Sequence, residues 1–176
     1  MRRRSFLAAS SALLLLAACD RTPKAPPVPT AAELDKSAAA AKTWMEENAK
    51  KPGIMTLPSG VQYKITKTGP AGGVSPKEAD EVRVNYEGGL TDGQVFDSSY
   101  QRGTPEVFRL GGLIAAWIEA LQQMKPGDEW MLYVPPEQGY GVEGSPPKIP
   151  PNSVLVFKIE LLGVLPAGAP IPQGKG

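Results

Sequence analysis

The sequence predicts an α+β fold: an antiparallel β-sheet wrapped around one short α-helix, preceded by an N-terminal helix. Three observations carry this. From Leu57 onward, short apolar runs of strand type are separated by turns rich in glycine and proline, 19 of each in the 176-residue chain. One stretch in that region, Leu113 to Met124, has helical spacing, with Ile114, Trp117, Ile118 and Leu121 at i, i+3, i+4 and i+7. Strands dominate, and this lone helix precedes the last two of them.

The chain opens with Arg2-Arg3-Arg4 and the apolar run Phe6 to Ala18, which together read as a leader over residues 1–18. The run is about a dozen residues long, short of the roughly 20 that a spanning helix needs. It ends in Leu16-Ala17-Ala18-Cys19, which resembles the lipobox of bacterial lipoproteins. On that reading Cys19, the chain's only cysteine, becomes the lipidated first residue of the mature protein and attaches it to a membrane on the periplasmic side of a bacterial envelope. The alternative is an ordinary secretory signal with an incidental cysteine. Arg3-Arg4-Ser5-Phe6-Leu7 resembles a twin-arginine export motif, and Asp20 resembles the signal that retains enterobacterial lipoproteins in the inner membrane. Cleavage before Cys19 leaves 158 residues and removes three arginines, which takes the formal charge from +1 to −2.

Residues 19–29 carry Pro23, Pro26, Pro27 and Pro29 and read as an extended tether, roughly 30 Å long in polyproline II geometry. The N-terminal helix is expected over residues 30–52. Thr30 and Glu33 form a capping box, and Lys51-Pro52-Gly53 stops the helix. Leu34, Ala38, Ala41 and Met45 share one face, with Trp44 beside it. That narrow stripe can pack on the downstream domain or on a second copy as a homodimer through residues 30–50. Strands are expected at Val61 to Ile65, at Val82, Val84 and Tyr86, at Phe96, at Val107-Phe108, at Trp130 to Val134 and at Val154 to Val164. Lys125-Pro126-Gly127-Asp128 turns the chain after the central helix, and residues 166–176 form a flexible Pro/Gly tail.

Composition excludes several chemistries. The chain has no histidine, so a Ser-His-Asp triad, a Cys-His dyad and a His-ligated zinc or haem site are impossible. One thiol closes no intrachain disulfide. Charges are mixed in sign with no basic cluster beyond the leader, so no nucleic-acid partner is expected.

Across residues 57–165 the chain resembles the FKBP-type peptidyl-prolyl cis-trans isomerases. The resemblance rests on segments in the family's order: Leu57-Pro58-Ser59-Gly60-Val61-Gln62-Tyr63, Val84-Asn85-Tyr86-Glu87-Gly88, Gly93-Gln94-Val95-Phe96-Asp97-Ser98-Ser99 and Phe108-Arg109-Leu110-Gly111. Further along come Ile114-Ala115-Ala116-Trp117, Met124-Lys125-Pro126-Gly127, Tyr133-Val134-Pro135-Pro136, Gly139-Tyr140-Gly141, Ile149-Pro150-Pro151-Asn152-Ser153 and Leu155 to Leu162. Each is weak alone; the ordered set is specific.

The resemblance implies a pocket. Tyr86, Phe96, Asp97, Trp117, Tyr140 and Phe157 match its catalytic positions, with the Trp117 indole as the floor, and Phe108, Leu113, Ile114 and Ile149 match its substrate-binding walls. Lys148 stands where the family often has an apolar residue and Glu106 where many members have an aromatic one, which bears on substrate preference and macrolide affinity. Without the resemblance Trp117, Tyr86 and Phe157 read as plain core, and Asp97-Ser98-Ser99 as a turn or helix cap. Tyr100, Trp130 and Tyr133 are expected to pack elsewhere.

The implied reaction is cis–trans rotation about X-Pro bonds of exported polypeptides, with no metal or other cofactor. Rotation breaks amide resonance and takes tens to hundreds of seconds unaided. An apolar aromatic pocket favours the less polar twisted amide over the planar one, and it needs neither a proton carrier nor a nucleophile. The Tyr140 hydroxyl, the Asp97 carboxylate and the Ile149 N–H are candidates to hold substrate carbonyls. Two other uses of the same pocket stand beside this one, a non-catalytic module that binds proline peptides and a general chaperone.

Overall fold

The computed structural model describes residues 28–168. The leader, Cys19, Asp20, most of the Pro-rich tether and the tail from 169 onward lie outside the described residues. Helix α1 spans Ala31–Asn48. Its capping box forms as the sequence predicts: the Glu33 N–H donates to Thr30 Oγ1 at 3.4 Å and the Thr30 N–H to Glu33 Oε2 at 2.8 Å.

The inward face of α1 differs in part from the predicted stripe. Ala41 and Met45 are buried and Leu34 is half-buried, but Ala38 is exposed and Asn48 takes its place inside. Polar ties, rather than alanine spacing, set this rotation. Asn48 Nδ2 donates to Gln62 Oε1 (2.9 Å), and Gln62 Nε2 donates to Met45 O (2.8 Å). Asn152 Nδ2 donates to Leu34 O and Ser37 Oγ, both at 3.0 Å. Ala41 and Met45 close over Val154, with Trp44 and Tyr133 alongside at 5.9 Å between ring centroids. Of the predicted stripe, Ala41 and Met45 are therefore covered by the chain's own domain.

Seven strands form one antiparallel sheet. They are β1 (Met55–Thr56), β2 (Gln62–Lys67), β3 (Glu81–Leu90), β4 (Val95–Ser98), β5 (Glu106–Arg109), β6 (Glu129–Val134) and β7 (Leu155–Leu165). Their order is β1-β2-β6-β7-β3-β4, and β5 pairs with the first half of β3 on the edge whose second half takes β4. The longest ladder joins β3 to β7, from Glu81 opposite Leu165 to Leu90 opposite Leu155. Between β4 and β5 lies α2 (Ser99–Arg102), a single turn.

Period-two burial fixes which side of the sheet meets the helix. Val82, Val84 and Tyr86 on β3, Trp130, Leu132 and Val134 on β6, and Leu155, Phe157, Ile159 and Leu161 on β7 all point inward. Each fully buried aliphatic contributes about 1.5–3 kcal/mol. They pack on α3 (Ala115–Leu121) through Ala116, Trp117, Ala120 and Leu121. This helix is shorter than the predicted Leu113 to Met124. Leu113 and Ile114 have extended backbones, and past Leu121 the chain leaves the helix for a turn. The Lys125–Asp128 turn that follows is held by Asp128, whose carboxylate accepts from the Lys125 N–H at 2.8 Å.

Candidate active site

The closed side of the sheet leaves one hollow where β3, β4, β5 and β7 meet the start of α3. Its volume is about 350 Å³, within the size range of small-ligand pockets. It is lined by Tyr86, Phe96, Asp97, Phe108, Gly112, Leu113, Ile114, Trp117, Tyr140 and Phe157. Nine of the ten residues singled out in the sequence thus line one cavity, and Gly112 was not among them.

Four of the five ring contacts are nearly perpendicular, and Tyr86 and Phe108 are tilted at 59°. Trp117 is edge-on to Tyr86 (5.2 Å, 84°), Phe157 (5.3 Å, 84°) and Phe108 (6.1 Å, 82°), and Phe96 is edge-on to Phe157 (5.7 Å, 85°). Edge-to-face contacts suit the aromatic quadrupole and leave space between rings that stacking would fill. Gly88 on β3 is required for this arrangement. A Cβ there would lie 2.6 Å from Phe157 Cε1 and 2.8 Å from the Phe96 ring.

Asp97-Ser98-Ser99 does three separate jobs. The Tyr86 hydroxyl donates to Asp97 Oδ2. Ser98 Oγ caps α2 by accepting from the Gln101 N–H (3.3 Å). The fully buried Ser99 hydroxyl accepts from the Tyr86 N–H (2.8 Å) and donates to Tyr86 O (3.3 Å), which fixes that tyrosine from behind.

Arg102, which sequence reasoning missed, completes the wall. It donates from Nη1 to Asp97 Oδ1, from Nη2 to the Tyr86 hydroxyl (2.9 Å) and from Nε to Glu106 Oε1 (2.9 Å). The signal was present in the sequence: a Ser98 cap and a Gly103 stop make a one-turn helix that presents Arg102 four residues before Glu106. Gly103 has φ +75°, a left-handed geometry that favours glycine.

This network fixes the charge states. Burial, then the hydrogen bond to Asp97, pushes the Tyr86 hydroxyl up to about 12. Burial pushes the Asp97 carboxyl up, but the hydrogen bonds from Tyr86 and Arg102 and the guanidinium charge outweigh it, and the group titrates below its ordinary value. The wall therefore holds a neutral phenol and an ionised carboxylate, already bonded to each other.

Two sequence expectations are corrected here. The sequence offers Asp97 as a holder of substrate carbonyls, but an ionised carboxylate only accepts hydrogen bonds, and its oxygens face Tyr86 and Arg102. The resemblance puts Ile149 in the pocket wall, but it is 4% exposed in the main core and is absent from the cavity lining. Its N–H donates to Ser145 O (3.0 Å) and its carbonyl accepts from the Ser145 N–H (2.8 Å), a bridge that pins the loop carrying Tyr140. The donors that remain at the cavity are the half-exposed Tyr140 hydroxyl and the Ile114 N–H, which donates to no other group among the described residues. Tyr100, Trp130 and Tyr133 are not among the lining residues.

The family model described as FKBP-type peptidyl-prolyl cis-trans isomerase matches residues 72–162. The chain belongs to this family. A second model, for the domain amino-terminal to FKBP-type isomerases, matches residues 21–65. The chain is 50% identical over 123 residues to the peptidyl-prolyl cis-trans isomerase Mip of Coxiella burnetii, covering 70% of this chain and 53% of that one. It is 42% identical over 137 residues to the outer membrane protein MIP of Legionella longbeachae, covering 76% and 58%. The chain spans about half the length of the curated relatives it matches. Among solved structures, FkpA of Escherichia coli superposes with a TM-score of 0.71 at 46% identity, over 77% of this chain and 64% of that one. An isomerase of Pseudomonas syringae pv. tomato gives 0.72 at 37% identity, over 78% and 99%.

Proposed function

We propose that this FKBP-type chain accelerates rotation about X-Pro bonds in polypeptides exported to a bacterial cell envelope, as a folding catalyst held to a membrane by a lipid on Cys19. The aromatic cavity carries the reading. It has room for a proline ring and the backbone on either side of it, and Trp117 meets Tyr86 and Phe157 edge-on around that space.

The planar X-Pro amide is the more polar state and loses more on entering an apolar site than the twisted one. The cavity thus lowers the barrier by differential binding. The Tyr140 hydroxyl and the Ile114 N–H are the donors available to hold the carbonyls that flank the bond. The Tyr86–Asp97–Arg102 network is internally satisfied, so its role is to keep the Tyr86 ring upright beside Trp117. No proton changes hands and no covalent bond to the protein forms.

Cis–trans exchange of an X-Pro test peptide, followed by NMR, tests the activity. Folded protein should raise the exchange rate, and Phe157→Ala should cut kcat/KM by about tenfold or more. A rate equal to the uncatalysed one would leave only a proline-binding module. The anchor is supported by Leu16-Ala17-Ala18-Cys19 at the end of an export leader and by the outer-membrane name of the Legionella relative. Cys19→Ser should abolish palmitate labelling and release the chain into the soluble envelope fraction. Asp20 favours the inner membrane, and separating the two membranes by density checks this.

A further inference from the structure

We infer that Lys148, held beside the cavity wall, selects X-Pro substrates that carry an acidic residue beside the proline. The inference rests on the isomerase reading and names the substrate class of that site.

The cavity is apolar and reads the proline ring, so the residues on either side of the proline must lie across its rim. The charged groups there fall into two unlike sets. On the β4–α2–β5 side, Asp97 and Glu106 share the Arg102 guanidinium, and all three are engaged with each other. The other set is Lys148 alone, which is exposed and reaches β4 from the loop before β7, where its Nζ donates to Phe96 O at 3.0 Å. Lys148 is not a lining residue but Phe96 is, so this contact seats the exposed ammonium beside the cavity wall.

A carbonyl takes one of the three ammonium hydrogens and none of its charge, which leaves two donors for a carboxylate. Among the described residues Lys148 forms no salt bridge; the four ion pairs present involve other groups. Glu143, in the same loop, is exposed and is not paired with it.

The lysine backbone is also fixed. Ile149 beside it is buried in the core, and Ser145 and Ile149 are bridged in both directions. The Gly144 N–H donates to Tyr140 O at 3.0 Å and the Asn152 N–H to Gly141 O at 2.9 Å, so Lys148 and the lining residue Tyr140 belong to one tied loop. A substrate carboxylate at the rim meets a positioned ammonium with open donors, and a substrate ammonium meets repulsion. At solvent-exposed distances of about 4 Å such a contact changes binding by roughly fivefold.

The test uses the full chain and two sets of proline peptides, with Glu, Gln or Lys placed before the proline in one set and after it in the other. Exchange NMR gives kcat/KM, and shift titration gives Kd for the same peptides. Glu should exceed Lys by about five- to tenfold in at least one set at low salt, and the ratio should shrink toward one near about 0.5 M salt. Lys148→Gln should remove the preference and Lys148→Glu should invert it, with near-UV circular dichroism reporting the fold of each. An unchanged Glu-to-Lys ratio in folded Lys148→Gln, or a salt-independent ratio in the unaltered chain, overturns the inference. Turnover without charge preference overturns it and leaves the isomerase reading intact. Charge-dependent binding without turnover overturns the isomerase reading and keeps Lys148 as a selector. Neither binding nor turnover overturns both.

Discussion

Trp117 and Trp130 are each 4% exposed and both belong to the main core, yet they stand in regions of opposite kind. Trp130 on β6 lies flat against Tyr63, with centroids 4.4 Å apart and planes 14° from parallel. Beyond it Tyr133 is covered by Trp44 of α1. Around Trp117 every neighbouring ring stands nearly perpendicular, and a hollow of about 350 Å³ remains. Both regions use indole, phenol and sheet. Parallel rings close a surface, and upright rings around one floor keep it open. The candidate site is thus made by the angle between aromatics more than by their number.

The comparison can be broken hardest at Trp130. Trp130→Ala should cost about 3–5 kcal/mol in urea unfolding, a large share of the margin of an ordinary domain. The exchange rate per folded molecule should hold. A matching loss of exchange would mean that the two regions are not independent.

Next in size is Asn48→Ala, which strips the buried Gln62 of a partner under α1 and should cost about 1–3 kcal/mol by the same measurement. It too should spare exchange, because neither Asn48 nor Gln62 lines the cavity. Asp97→Ala sharpens the contrast from the other side: about tenfold lower kcat/KM, with unfolding moved by less than for Trp130→Ala.

The smallest effect is with pH. Asp97 titrates below its ordinary 3.8 when folded, so its contribution is present above that value and is lost as pH falls through the folded value. Tyr86 titrates above its ordinary 10.0, so its contribution is complete below 10.0 and is lost as pH rises through about 12. With no histidine in the chain, exchange and Trp117 fluorescence should stay flat from about pH 5 to 9. A transition inside that window would show that the Tyr86–Asp97–Arg102 network is not holding its protons as described.

Much of this was legible in the sequence because burial writes itself as period two along β3, β6 and β7. The Thr30–Glu33 box was legible because its residues are local. What depends on distant partners was not. Ala38 shares the spacing of Leu34 and Met45, yet hydrogen bonds from Asn152 and between Asn48 and Gln62 turn α1 so that it faces out. Ile65 shares the alternation of Val61 and Tyr63 but is 42% exposed, next to a register shift between Ile65 and Lys67. The lining side chains could be named from ordered motifs. The direction of an N–H could not, so Ile149 was given a role that its bridge to Ser145 precludes. Arg102 was not legible because its importance lies in three partners, each on a different strand.

Gly88 has a practical consequence. The two phenylalanines of the pocket lean on a bare stretch of β3, so a single methyl group at residue 88 would drive both rings from their places. Gly88→Ala would thus disable the hollow while every lining side chain and the docked helix keep their identities. Such a chain is a decoy, the same fold without its cavity. Comparing it with a deletion would separate what a cell needs from the pocket and what it needs from the rest of the molecule.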